Sequence, residues 1–185
     1  MDNMTLSPMC GKYLKKYYEK ADEILCNSGY RKLSSFPRHR YTNTMDHSIR
    51  VACVNLYLSE RFHVAPESAI KTGLLHDFCL VNYYEEHHLP VSKRHKGIYA
   101  FYHPAEAAEN AEKITELTRE EIRAIQSHMF PLSVHIPTSR LGWMLTISDK
   151  IVAVYESFYG LRIFHSLMMR EGKKAVEKEE MLIAA

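Results

Sequence analysis

Apolar residues recur at intervals of three and four along nearly the whole chain, without the strict alternation of apolar and polar residues typical of strands. A period near 3.6 places these side chains on one face of an α-helix, whereas a half-buried strand needs a period of two. The pattern therefore predicts an all-α protein, a bundle of about six or more helices.

Capping residues, prolines and glycines indicate where the helices begin and end. Helix starts are predicted at Pro8, at Thr42 to Thr44, at Pro66, at His103-Pro104, at Thr118, and at Thr138 or Ser139. Gly29 is placed to end the first helix. The segment from Val81 to Tyr102 is aromatic, basic and irregular, and its length predicts a lid or binding loop.

The length of 185 residues fits one compact domain that spans the whole chain, residues 1–185. We expect its core at about 42–156, an N-terminal helix at about 8–28 and a peripheral tail at about 171–185. Hydrophobic residues make up 46% of the sequence and charged residues 25%, which is typical of a globular rather than a disordered chain.

Basic and acidic residues nearly balance, with 24 Lys and Arg against 22 Asp and Glu. This balance argues against a nucleic-acid partner and leaves small anionic substrates open. The chain has no signal-like start and no run of about 18 apolar residues, so we expect a cytoplasmic protein without a membrane partner. The oligomeric state is left open.

Side chains that bind metals interrupt the apolar faces of several predicted helices. The chain has 11 histidines, more than packing alone requires. Inward side chains on facing helices of a bundle converge although they are distant in sequence, and this predicts a metal site. The candidate ligands are His47, His76, Asp77, His103, His128 and Asp149.

The segments HSIRVA, GLLHDF and TISDK, which contain His47, His76-Asp77 and Asp149, resemble the HD-domain superfamily of metal-dependent phosphohydrolases. The histidines in HPAEAAENAE and IQSHMFPL resemble the subgroup that holds two metal ions, and the likeness is closest to small bacterial HD proteins. The resemblance covers about residues 42–156 and implies an HD-domain helical bundle.

This resemblance implies the roles of the ligands. Asp77 would bridge two divalent ions, one completed by His47, His76 and Asp149 and the other by His103 and His128. Nitrogen and oxygen ligands accept Fe, Mn, Zn or Co, so the identity of the metal is open. A metal-activated hydroxide would hydrolyse a phosphate ester or anhydride, in a nucleotide or another small phosphorylated metabolite.

Basic residues are candidates for holding the phosphate of the substrate. Lys150 directly follows Asp149, and we predict that Lys150 and Asp77 are catalytic. Arg40, Arg94 and Lys96 are further candidates, and they lie in the basic clusters Arg38-His39-Arg40 and Lys93-Arg94-His95-Lys96. A guanidinium can bind phosphate through two hydrogen bonds. Many HD proteins have a lysine shortly after the His-Asp pair, but this chain has HDFCL instead.

Other interpretations remain open. Some HD proteins activate oxygen at a mixed-valent di-iron pair with nearly the same ligands, so an HD-type di-iron oxygenase is one alternative. A non-catalytic regulatory domain that binds metal and nucleotide is another. Taken singly, His47 fits a structural core histidine, His103 a helix cap, and His128 a favourable cation near a helix C-terminus.

Overall fold

The computed structural model describes residues 18–38, 42–81 and 98–157, with side chains from residue 21 onward. These ranges contain seven α-helices and no sheet, which confirms the all-α prediction. A 3₁₀ turn, Lys32–Ser35, follows the second helix. The helices are α1 Tyr18–Cys26, α2 Ser28–Arg31, α3 Thr44–Phe62, α4 Pro66–Leu75, α5 Tyr99–Glu112, α6 Arg119–Ser127 and α7 Arg140–Ser157.

Helix α3 lies at the centre of the described part of the chain and packs against α4 and α7, while α6 packs against α7 and α5. The apolar side chains between these helices are fully buried, as for Val51 of α3, Leu74 of α4 and Leu145 of α7. Burying these faces supplies most of the stability of such a bundle, because short helices are marginal alone. Among the described helices, none combines the length and apolar character needed to cross a membrane.

Helices α3 and α4 approach closely where Gly73 faces Ala52. A Cβ atom added to Gly73 would lie 2.8 Å from the backbone nitrogen of Ala52 and in conflict with its Cα. The absence of a side chain at residue 73 therefore sets the distance between the two helices. This contact lies in the last turn of α4, directly before His76 and Asp77.

The first helix ends earlier than predicted. Helix α1 stops at Cys26, and Asn27 caps a new helix by accepting hydrogen bonds from the backbone N–H groups of Gly29 at 2.9 Å and Tyr30 at 3.1 Å. Gly29 therefore lies inside α2 rather than at the end of the first helix, since the Asn27 cap decides the local conformation. The predicted start at Pro8 lies outside the described residues.

Helix α5 begins at Tyr99, four residues before the predicted start at His103-Pro104. The ring of Tyr99 stacks on that of His103 with centroids 4.4 Å apart, and Tyr102 is buried, so packing holds the extra turn in helical form. Pro104 therefore lies inside the helix, where it lacks the N–H that would bond to the carbonyl of Ala100. Most of the predicted loop, residues 82–97, lies outside the described residues.

The other predicted starts are confirmed. Helix α4 begins at Pro66, and α6 begins with the reciprocal capping box of Thr118 and Glu121. The hydroxyl of Ser139 accepts the N–H of Gly142 at 3.1 Å at the start of α7. These three signals are local hydrogen-bond or backbone effects and need no tertiary contact.

Candidate metal centre

Helices α3 to α7 each contribute a metal-competent side chain to one buried cluster. His47 lies on α3, His76 and Asp77 follow the last turn of α4, and His103 lies in the second turn of α5. The remaining two lie directly after α6 and on α7. All six predicted ligands are at most 2% exposed: His47, His76, Asp77, His103, His128 and Asp149.

The carboxylate of Asp77 lies at the centre of the cluster, with two imidazoles near each oxygen. Its Oδ2 lies 3.7 Å from Nε2 of His47 and 3.2 Å from Nε2 of His76. Its Oδ1 lies 3.3 Å from Nε2 of His103 and 3.6 Å from Nε2 of His128. Asp77 is the residue whose two oxygens connect both pairs of histidines.

Asp149 completes the first side of the cluster. Its Oδ1 lies 3.0 Å from Nε2 of His47 and 3.7 Å from Nε2 of His76. With metal–ligand bonds of about 2.1 Å, neighbouring ligands of one ion lie about 3.0–3.4 Å apart. These spacings are similar, and His47, His76 and Asp149 could together hold a metal ion.

Backbone carbonyls fix the orientation of three of the imidazoles. The Nδ1–H of His76 donates to the carbonyl of Gly73 at 2.9 Å, as that of His128 does to Ile125 at 2.7 Å. His103 makes the same kind of bond to the carbonyl of Tyr99, at 2.7 Å. A carbonyl can only accept, so each Nδ1 carries the proton, and each Nε2 of the neutral ring presents a lone pair.

The lone pairs of His103 and His128 meet on the second side of the cluster. Their Nε2 atoms lie 3.2 Å apart, and both are near Oδ1 of Asp77. With both Nδ1 atoms protonated, the two Nε2 atoms are acceptors that repel each other unless a cation lies between them. A proton or a metal ion satisfies this arrangement, and only the metal ion leaves all three groups in their usual ligand form.

The second group of donor atoms that could hold a metal ion is His76, Asp77 and His128, so His76 belongs to both groups. His103 lies outside this tighter group, and its assignment as a ligand depends on its contacts with Asp77 and His128. The buried Nε2 of His76 and both oxygens of Asp77 make no hydrogen bond. Buried polar atoms are normally satisfied, so Nε2 of His76 and Oδ1 of Asp77 fit the ligands of a cation, while Oδ2 of Asp77 forms an ion pair with Arg38.

Charges within the cluster favour ionised carboxylates. Burial alone would raise the pKa of Asp77, but Arg38 and His76 outweigh it and hold the pKa well below its ordinary value. Asp149 is similar, because His47 and His76 overcome the effect of burial on its pKa. Both carboxylates are therefore available as anionic ligands at neutral pH.

The histidines differ in charge. Burial of the His128 ring, aided by repulsion from His76 and His103, lowers its pKa to about 4 against the attraction of Asp77. Burial would also lower the pKa of His76, but the carboxylates of Asp77 and Asp149 raise it to about 9. His128 is thus neutral at physiological pH, whereas a metal ion at His76 has to displace a proton.

Glu156 contacts the candidate ligand His47 and was not predicted from the sequence. Its Oε2 lies 2.8 Å from Nδ1 of His47, and its Oε1 accepts a hydrogen bond from Nη1 of Arg50 at 2.7 Å. A carboxylate behind a metal-binding histidine fixes its ring and raises its basicity. Glu156 follows Asp149 by seven residues, two helical turns on the same face of α7, and this spacing is the signal that could have found it.

Arg38 belongs to the basic cluster Arg38-His39-Arg40, and its contact with Asp77 was not expected from the sequence. Its Nη1 lies 2.5 Å from Oδ2 of Asp77 in an ion pair, without the orientation of a hydrogen bond. A short bridge holds its backbone, with the N–H of Arg38 donating to the carbonyl of Thr42 at 2.9 Å. The phosphate contact predicted within this cluster, Arg40, lies outside the described residues, as do Arg94 and Lys96.

Lys150 lies at the solvent side of the cluster. Its ammonium donates to Oδ2 of Asp149 at 2.6 Å and to the carbonyl of His128 at 3.3 Å, and its side chain is 38% exposed. The side chain therefore bends back from its position on α7 toward the cluster rather than extending into solvent. This location suits the predicted contact with a substrate, which stays a prediction.

Comparisons of the chain with protein-family models, with curated proteins and with solved structures found no match. The fold and the site together define an all-α protein whose buried histidine and aspartate side chains could hold metal ions. Any assignment of a reaction therefore depends on the geometry of this cluster and on the chemistry of its ligands.

Proposed function

We propose that this protein is an HD-type phosphohydrolase with two divalent metal ions. Its substrate would be a phosphate ester or anhydride, in a nucleotide or another small phosphorylated metabolite. The observation that supports this proposal most directly is the division of four imidazoles between the two oxygens of Asp77. A carboxylate with histidines on both oxygens is suited to bridge a pair of ions.

The donor set agrees with the proposed ions. Imidazole nitrogens and carboxylate oxygens suit Fe, Mn, Zn and Co, and the cluster has no thiolate among its proposed ligands. Two such ions would lower the pKa of a bound water and neutralise charge on a phosphoryl group. The protein would contribute fixed imidazole orientations and an environment that excludes bulk water, because the ligands are almost fully buried.

The residues have separate roles in this proposal. Asp77 would connect the two ions, and Asp149 would complete the site of His47 and His76. Lys150, on the solvent side, would hold an oxygen of the substrate phosphate. The resemblance of HSIRVA, GLLHDF and TISDK to HD proteins supports the same assignment.

The proposal is tested by loading the purified full chain with Mn²⁺, Fe²⁺, Zn²⁺ or Co²⁺ and screening phosphate esters and nucleotides for hydrolysis. We expect turnover of at least one substrate class, and loss of turnover to background in His76→Ala and Asp77→Ala. His135→Ala is a matched control, because His135 is exposed and does not belong to the cluster. Turnover that persists in both cluster variants would reject the proposed site.

Oxygen dependence separates hydrolysis from the alternative oxygenase. Hydrolysis consumes water only, so product formation should be the same in anaerobic and in air-equilibrated buffer. A strict requirement for oxygen, with a mixed-valent iron signal in electron paramagnetic resonance, would instead indicate a di-iron oxygenase. Tight nucleotide binding without any product would indicate a regulatory domain.

A further inference from the structure

Arg38 and Lys150 are cationic side chains that contact the carboxylates of the cluster, and the two contacts differ. Lys150 donates to Oδ2 of Asp149, whereas the histidines face Oδ1 of that residue. Arg38 contacts Oδ2 of Asp77, the oxygen that also faces two histidines. Lys150 therefore leaves Oδ1 of Asp149 accessible to a metal ion. Arg38, in contrast, would compete with a metal ion for Oδ2 of Asp77.

A divalent ion at Oδ2 of Asp77 would lie within a few ångströms of the Arg38 guanidinium. The imidazoles nearest to this oxygen, His47 and His76, are held in place by Glu156 and by the carbonyl of Gly73. The ligands therefore cannot move away to accommodate both cations. Two like charges at this distance repel strongly in a buried site, so metal binding should displace the guanidinium.

We propose that Arg38 exchanges Asp77 for the phosphate group of the substrate when the metal ions bind. In the metal-free protein its guanidinium neutralises Asp77, and in the loaded protein it binds the oxygens of a phosphate. This inference rests on the proposed function. It assigns to Arg38 a contact with the phosphate of the substrate.

The local structure of Arg38 fits this exchange. Its backbone is fixed by the hydrogen bond to the carbonyl of Thr42, and Pro37 forms a bridge with Asn43 directly before α3. The guanidinium therefore moves only by side-chain rotation and stays beside the cluster. Its side chain is 18% exposed, compared with 0% for Asp77, so it extends from solvent into the site. A planar guanidinium can bind two oxygens of one phosphate.

The test is isothermal titration of the full-length Arg38→Gln variant, first with Mn²⁺ and then, on the loaded protein, with inorganic phosphate. Mn²⁺ should bind about tenfold more tightly than to the wild type, because a competing cation is removed. Phosphate should bind about 10–100-fold more weakly, because a charged hydrogen-bond donor is lost. These opposite shifts would not result from a merely structural role.

Two variants serve as controls. Arg50 also forms an ion pair with a buried carboxylate, that of Glu156, which in turn orients His47. Arg50→Gln should therefore weaken Mn²⁺ binding rather than strengthen it. Arg123→Gln changes an exposed arginine on α6 and should leave both affinities unchanged. Replacement of arginine by glutamine is thus expected to have a different effect on Mn²⁺ binding at each of the three positions.

The Arg38→Gln variant leaves the buried Asp77 without this cation and is expected to be less stable in the absence of metal. Mn²⁺ should therefore raise the midpoint of thermal unfolding more in the variant than in the wild type. If Arg38→Gln does not fold, Arg38→Lys retains the charge while losing the planar pair of donors. That variant should bind Mn²⁺ like the wild type and bind phosphate more weakly.

Weaker binding of both Mn²⁺ and phosphate by Arg38→Gln, or unchanged phosphate binding, would overturn the inference. A wild-type protein that binds no metal would reject both this inference and the proposed function. Opposite shifts in the two affinities, without turnover of any phosphorylated substrate, would support the exchange by Arg38 and reject hydrolysis. The two proposals can therefore fail separately.

Discussion

Glu156 lies 2.8 Å from Nδ1 of His47, on the side of the ring opposite to Asp149. Burial alone would raise the pKa of Glu156, but His47 and Arg50 outweigh it and hold the pKa below its ordinary value. Glu156 therefore stays ionised while buried. The negative charge of Glu156 makes Nε2 of His47 a stronger electron-pair donor toward a metal ion. The hydrogen bond between the two residues also prevents the ring from rotating.

The Glu156→Gln variant should bind divalent metal about 10–100-fold more weakly than the wild type, because outer-shell partners of metal ligands have effects of this size. The amide can still accept a hydrogen bond from His47, so the loss reports mainly on charge. Competition with a fluorescent chelator measures the affinity, and Glu109→Gln at an exposed position of α5 is the control. An affinity equal to that of the wild type would show that the charge of Glu156 does not strengthen metal binding by His47.

The shared position of Asp77 predicts a difference between the two carboxylates in the number of ions bound. Asp77 lies between both pairs of histidines, whereas Asp149 contacts the first pair. Asp77→Asn should therefore remove both ions, and Asp149→Asn should remove one, as measured by metal analysis after dialysis. Equal loss in the two variants would contradict the assignment of Asp77 as the bridge.

Two of the candidate ligands could be predicted from the sequence because each interrupts a local pattern. Asp149 takes the place of an apolar residue on the inner face of α7, and His47 lies in register with the buried Val51. Such positions require a partner inside the protein, whatever the fold. The structure places all six predicted residues in one cluster, and their role as metal ligands stays a prediction.

The residues that support the ligands could not be predicted in the same way. Glu156 and His47 are 109 positions apart, and the ion pair of Arg38 and Asp77 joins a short loop to the end of a helix. In the sequence, a charged residue whose partner is distant along the chain cannot be told apart from a charged residue exposed to solvent. Only the tertiary contact, or a helical spacing such as that from Asp149 to Glu156, distinguishes it.

The start of α5 shows how tertiary packing overrides a local rule. A proline is favoured in the first turn of a helix, and this preference placed the predicted start at His103-Pro104. The stacking of Tyr99 on His103 and the burial of Tyr102 stabilise one more turn. The same turn supplies the carbonyl of Tyr99 that orients His103. The turn that was not predicted therefore supports a candidate ligand of the site.

The close contact of Gly73 and Ala52 predicts that Gly73→Ala destabilises the protein. A helical glycine replaced by alanine normally stabilises a helix by about 0.5–1 kcal/mol, because alanine has the higher helix propensity. Here the new methyl group meets the backbone of Ala52, which cannot move away as a flexible side chain can. We expect a loss of about 1–3 kcal/mol, measured by urea unfolding of the metal-free protein. A stability equal to or above that of the wild type would show that α3 and α4 are farther apart at Gly73 than the structure places them.

The capping box of α6 predicts a pH-dependent effect on stability. Burial alone would raise the pKa of Glu121, but the N–H of Thr118 and the ammonium of Lys71 outweigh it and lower the pKa. Because the folded-state pKa lies below the unfolded one, the ionised carboxylate stabilises the fold above about pH 4.3 and loses this effect as the pH falls through the folded-state value. Glu121→Gln should therefore reduce the free energy of unfolding by about 1–2 kcal/mol at pH 7 and by progressively less in acid. Urea unfolding from pH 7 down into acid measures the difference in free energy of unfolding between variant and wild type, with the exposed Glu120→Gln as the control. A difference of the same size at both ends of the range would mean that the charge of Glu121 does not stabilise α6.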